Sequence, residues 1–116
     1  MDDELLSRLD DILEQCENIS LCVSKTTRDE FVTDPIYSAA MIRYFEVIGE
    51  AARNAALHPC ASDFPEIPWK KLIGLRNVLI HEYPVVNLNI LWGFAVNQIP
   101  MLQADIRRMR DTLAEQ

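Results

Sequence analysis

The sequence predicts an all-α protein: an antiparallel up-and-down four-helix bundle with a long, kinked C-terminal helix. Apolar residues recur at helical spacing along nearly the whole chain, and no pair of alternating runs flanks a hairpin turn. The breaks between periodic segments are short and carry the Asp, Asn, Thr and Pro that start or stop helices. The last segment keeps a seven-residue apolar repeat for more than three heptads. At 116 residues, 49% hydrophobic and 25% charged, with three Gly and six Pro, the chain suits one domain over 1–116 and excludes disordered, collagen-like and low-complexity classes.

The first helix is expected over about residues 2–24. Leu9, Leu13, Cys16, Ile19 and Val23 form a stripe flanked by Leu5, Leu6 and Ile12, with acids on the other side. Residues 24–27 are a polar break, and 28–32 allow one extra helical turn. Asp34-Pro35 is a strong start for the second helix, a capping side chain followed by Pro at the first helical position. This helix runs to about residue 57 and is apolar on more than one side, which makes it central. Gly49 within it costs about 1 kcal/mol against Ala, so a close contact or a function must offset it. Residues 58–68 form the longest irregular stretch, punctuated by Pro59, Pro65 and Pro68. The third helix follows, from about Pro68-Trp69 towards His81, with Pro84 disfavouring helix at Tyr83. Asn87 or Asn89 caps the fourth. Leu88, Trp92, Ala95, Ile99, Leu102, Ile106, Met109 and Leu113 carry its repeat, in phase across Pro100, which predicts one kinked helix rather than two unrelated ones. That seam serves the bundle core or a second subunit. The second and fourth helices are expected to carry most of the buried area.

The net charge of −7 is unevenly spread. Residues 1–24 hold seven acids against Arg8 alone, whereas residues 68–81 hold Lys70, Lys71 and Arg76 with no acid. A solvated outer first helix and a local anion site fit this pattern; a general DNA-coating protein does not. No apolar run reaches the length of a membrane span, and the acidic start is unlike the basic start of a secretory signal, which predicts a cytoplasmic protein. Cys16, Cys22 and Cys60 lack ligand-like spacing, so packed free thiols are expected, with no metal and no cofactor.

Chemistry concentrates in residues 74–83, where Arg76, Asn77, His81 and Tyr83 lie within eight residues. Each has an ordinary reading as a solvated or packing residue, except that Asn77 in mid-helix is a poor helix former whose amide needs partners. Asn77 and His81, four apart, share a helix face. Arg76 and Tyr83, seven apart, share one if helix persists that far. Arg76 and His81, five apart, lie roughly 140° around the helix from one another. An imidazole, an amide, a guanidinium and a phenol near one another suit phosphoryl chemistry. The His moves protons near neutral pH, the Arg neutralises charge on phosphate oxygens, and the Asn orients.

Arg76-Asn77, three residues, then His81 resembles the Arg-polar-x-x-x-His motif of the HEPN superfamily. Continued to Tyr83, it resembles that of the HepT-like toxins of bacterial and archaeal toxin–antitoxin pairs. Asp34-Pro35, Ile48-Gly49-Glu50-Ala51, Phe64-Pro65-Glu66-Ile67-Pro68-Trp69 leading into Gly74-Leu75-Arg76-Asn77, and Trp92 are similar to family blocks in family order. The likeness therefore spans nearly the whole chain.

The resemblance implies a HEPN-like bundle that forms a homodimer through its motif helices and acts as the toxin of a type VII toxin–antitoxin system. The implied activity is a metal-independent endoribonuclease that leaves a 2′,3′-cyclic phosphate on its RNA substrate. His81 is then the general acid or base, Arg76 the transition-state stabiliser and Asn77 the orienting group. The implied partner is an MNT-type nucleotidyltransferase antitoxin that silences the toxin by adenylylating Tyr83. Pro84 stands where relatives often carry an aromatic residue. The alternative is a non-catalytic helical interaction module that dimerises and binds the nucleotidyltransferase.

Overall fold

The computed structural model describes residues 3–81 and 86–116, and among them every regular element is helical. Helix α1 (Asp3–Lys25) opens on Asp3 and Glu4 and closes on Lys25, charges that suit the two ends of its dipole. A Thr27 cap starts the short α2 (Arg28–Thr33): its hydroxyl accepts from Glu30 N at 3.2 Å, while the Thr26 hydroxyl donates to Glu30 Oε1 at 2.6 Å. Asp34 then caps α3 (Pro35–Ala55), accepting from Ile36 N at 2.9 Å with Pro35 in the first turn, as the Asp-Pro pair predicts.

Helix α3 is the central element. It buries Met41, Ile42, Phe45, Ile48, Gly49, Ala51, Ala52 and Ala55, which cover two sides of the helix. It packs on α1 with one side and on α4 (Trp69–His81) with another, while α6 (Ile99–Ala114) lies against α1. The chain thus forms a slab of 46 × 28 × 20 Å. The stretch expected to be irregular contains a 3₁₀ helix (Pro59–Asp63), which is tied to the start of α4 by Trp69 Nε1 donating to the Ala61 carbonyl at 3.3 Å.

Helix α5 (Leu88–Asn97) is capped by Asn87, whose side chain accepts from Asn89 N and Ile90 N. Of the two candidates it is therefore Asn87 that caps. Trp92 of α5 lies 5.2 Å from the buried Phe31 ring of α2, and Phe94 meets Phe45 of α3 edge to face at 5.7 Å.

Two details of the bundle differ from expectation. Among the described residues it has six α-helices beside the 3₁₀ turn, because the extra turn after the first helix is a separate capped helix and the C-terminal helix divides at Gln98. Pro100 causes that division: it has no N–H to give to the carbonyl four residues earlier. The course hardly changes, since Gln98 stays right-handed helical, its N–H bonds Phe94 O at 2.9 Å and its carbonyl accepts from Leu102 N at 2.9 Å. The apolar repeat therefore runs on through the core, from Ala95 through Ile99, Leu102 and Ile106 to Met109, with Leu88, Trp92 and Leu113 half-buried at its ends. Finally, α1 is not merely an outer helix. It buries Leu5, Leu6, Leu9, Ile12, Cys16 and Ile19, as many side chains as α5 and α6 together, because α3 covers one of its flanks and α6 the other.

Candidate active site

Helices α3 and α4 cross where Gly49 meets Arg76. A Cβ at position 49 would overlap the Arg76 Cβ and would stand 2.9 Å from the Leu72 carbonyl oxygen. Only a hydrogen fits there, which explains a glycine in the middle of a long helix. The close crossing also sets the root of the Arg76 side chain against α3, beside Glu50.

The Arg76 side chain is largely covered, with 20% of its area exposed, and its Nε lies 2.9 Å from Glu50 Oε2. That approach is off the N–H axis, so the contact is an ion pair rather than a hydrogen bond. The guanidinium Nη1 donates to Asn77 Oδ1 at 2.9 Å. The mid-helix amide that lacked an evident partner in the sequence thus has one in its own neighbour.

Arg76 opens onto a groove of about 340 Å³ between α1, α3 and α4. Arg8 and Arg43 reach the same groove, with Asp11, Glu46 and Glu50 opposite them in charge. Arg8 pairs with Asp11 at 3.3 Å and Arg43 with Glu46 at 3.8 Å. The basic stretch expected to form an anion site is therefore balanced, at Arg76, by acids on α1 and α3.

His81 is exposed in the last turn of α4 and is not among the residues lining the groove. One chain thus joins Arg76 to Asn77 and leaves His81 turned away from Arg76, in keeping with the five-residue offset. Between them α4 exposes Val78 and Ile80 on opposite faces, Ile80 on the groove side with Arg76. Tyr83, together with Glu82, Pro84 and Val85, lies outside the described residues.

The cysteines offer no nucleophile in the core: burial pushes the Cys16 thiol up to about 12 and raises that of Cys22, so both stay neutral thiols. Among the described residues no three His, Cys, Asp or Glu side chains converge as ligands would, and no helix is long and apolar enough to cross a membrane. Sequence reasoning missed Glu50, Arg8 and Arg43. Glu50 had a signal in its place after Gly49. Arg8 had none, because only the packing of α1 on α3 brings it near the motif.

A model of the family described as Ribonuclease HepT-like matches residues 12–109. A protein of Caldanaerobacter subterraneus subsp. tengcongensis, named as a candidate RNase, is 35% identical over 101 residues, covering 87% of this chain and 89% of its own. A candidate RNase of Methanocaldococcus jannaschii is 36% identical over 105 residues, with 90% of this chain and 84% of the relative covered. A Thermococcus cleftensis protein named Probable ribonuclease HepT is 34% identical over 106 residues, with 88% and 92% covered. No solved structure matches the chain significantly.

Proposed function

The chain belongs to the HepT-like ribonuclease family of the HEPN superfamily, and from that premise we propose that it is the toxin of a type VII toxin–antitoxin pair, a metal-independent endoribonuclease. The observation that carries the reading is the fixed Arg76–Asn77 pair at the α3–α4 crossing, open to a groove, with His81 on the same helix.

The reaction needs little more than positioning and charge. A base takes the proton of the RNA 2′-hydroxyl, whose oxygen forms a bond to the adjacent phosphorus. The bond from phosphorus to the 5′ oxygen breaks, an acid protonates that oxygen, and the upstream strand keeps a 2′,3′-cyclic phosphate. His81 is the proton-transfer group, Arg76 neutralises the charge gathering on the phosphorane, and Asn77 orients the Arg76 guanidinium.

The offset of Arg76 from His81 favours a site shared by two chains. A homodimer through the groove side of α4 would bury Ile80, and would bring His81 of one chain to Arg76 of the other. An MNT-type nucleotidyltransferase partner would then silence the site by adding AMP to Tyr83, two residues beyond His81. The added phosphodiester is negative and would compete for the seat of the RNA phosphate.

The Arg76–Glu50 ion pair supports a second reading, because a purely structural crossing would show it too: a non-catalytic module that dimerises and binds the nucleotidyltransferase. Growth separates the two. Expressed without the partner, the wild-type chain should be toxic and the His81→Ala and Arg76→Ala variants harmless at equal soluble levels. Purified protein should cut RNA in the presence of chelator and leave cyclic phosphate ends. Equal growth of wild type and His81→Ala would refute the enzyme and leave the module. Intact-mass analysis after co-expression with the partner should add whole AMP units that map to Tyr83, and Tyr83→Phe should stay toxic.

A further inference from the structure

We infer that Glu50 is a positioning residue for Arg76: its carboxylate holds one edge of the guanidinium so that the remaining N–H groups meet a substrate phosphodiester in the groove. The inference rests on the ribonuclease reading. It starts from the order of two neighbouring residues. Gly49, lacking a side chain, lets α4 approach until the next residue of α3 reaches Arg76 Nε, at 2.9 Å. The two residues therefore act in sequence, one setting the helix distance and the other using it.

A guanidinium carries five N–H donors in a rigid plane. Glu50 pairs in charge with the Nε side without taking its hydrogen, Asn77 takes one hydrogen of Nη1, and among the described residues no acceptor meets Nη2. The plane is thus held from two directions before any ligand arrives, with its far end left for the equatorial oxygens of a phosphorane. An arginine without such holds has many rotamers, and its charge helps the transition state only in the fraction of time it points correctly.

Glu50 is 48% exposed and contributes nothing to the apolar core, so its role is not to close the fold. Its negative charge beside the groove opposes an incoming phosphate. Its removal should therefore leave substrate binding unchanged or tighter while slowing the chemical step. A structural role would not produce that split.

The test is steady-state cleavage of a single-stranded RNA oligonucleotide by wild type, Glu50→Ala, Glu50→Gln and Glu50→Asp, together with the side-chain order parameter of the Arg76 Nε–H by NMR, which reads how firmly the guanidinium is held. Glu50→Ala should lower kcat about tenfold with KM unchanged or lower, the pattern of an interaction used only in the transition state. Glu50→Gln keeps the shape and loses the charge of the ion pair, so it should be impaired in the same way, whereas Glu50→Asp keeps the charge and should recover part of the loss. The order parameter should be high in wild type and low in Glu50→Ala. An unchanged kcat in Glu50→Ala, a Glu50→Gln variant as active as wild type, or a raised KM at constant kcat would overturn the inference. Should the wild-type chain cleave no RNA, the ribonuclease reading fails first. The order parameter then decides alone whether Glu50 holds the guanidinium, and equal values in wild type and Glu50→Ala refute it.

Discussion

Replacing Gly49 with Ala tests the crossing on which the site stands. Two effects oppose each other. Alanine is the better helix former by about 1 kcal/mol, which favours the variant. Its Cβ, however, would overlap the Arg76 Cβ and sit 2.9 Å from the Leu72 carbonyl oxygen. Neither obstacle is the loose end of a side chain; both belong to the frame of α4, so relief requires the two helices to part. Overpacking of this kind costs about 1–3 kcal/mol, and a clash against a helix frame belongs in the upper half of that range. The net loss is therefore about 1–2 kcal/mol. At about 2.1 cal/mol/K of unfolding entropy per residue, a chain of 116 residues should lose about 4–8 °C in Tm.

Gly74 is the internal control. It lies in α4, and a Cβ there would meet nothing within 4 Å. Gly74→Ala should gain up to about 1 kcal/mol and raise Tm by about 4 °C. Thermal melts followed by circular dichroism, with urea titrations to confirm that the cooperativity is unchanged, read both variants. Opposite signs are expected from the same chemical change on adjacent helices. If Gly49→Ala were as stabilising as Gly74→Ala, the helices would not cross this closely, and the placement of Arg76 against α3 would fail with them.

Ile99 is fully buried where the C-terminal repeat passes the break before Pro100, so Ile99→Ala should cost about 2–5 kcal/mol in urea unfolding; a loss near zero would mean that the repeat does not line the core. Asn87→Ala removes the side chain that accepts from two N–H groups at the start of α5 and should cost about 1 kcal/mol, read by the same titration. Cys16, held neutral with its thiol pushed up to about 12, should resist a thiol-specific reagent at pH 8 in the native chain and react fully on unfolding. Its raised value also sets a sign. The stability that the neutral buried thiol contributes is complete below the ordinary thiol range and is lost as pH rises towards about 12, so a Cys16→Ala variant should lose less stability than wild type in alkaline melts.

Much of the fold was legible because it rests on local chemistry. Asp34-Pro35 and Asn87 start helices wherever they stand before an apolar run, and each does so here. The repeat from Ala95 to Met109 lies in the core because one face of a helix cannot remain in water when it is apolar for so many turns. Even Pro100 was read nearly correctly: a proline deletes one hydrogen bond, and whether the result is one bent helix or two abutting ones turns on a single residue, Gln98. Errors began where neighbours decide. The acidic face of α1 suggested a solvated outer helix, yet α3 and α6 take up its other sides. Nothing within residues 3–25 announces two partners rather than one.

The site divides along the same line. Arg76, Asn77 and His81 are within six residues of one another, so their angular relation on α4 follows from helix geometry alone, and the structure keeps it: Arg76 joined to Asn77, and His81 on the Asn77 face but turned away from Arg76. What local spacing cannot contain is the counter-charge. Glu50, Glu46 and Asp11 enter the groove from other helices, and they convert a stretch that is basic in sequence into a balanced one in space. A balanced groove attracts RNA weakly from a distance, because long-range steering follows net charge. It can still stabilise a phosphorane strongly, because the stabilisation depends on where the donors point once the phosphate has arrived. Charge balance within one chain is therefore compatible with catalysis, provided that the acids hold the arginine and do not cover it. The 2.9 Å approach of Glu50 to the Nε edge, with Nη2 left over, has that form.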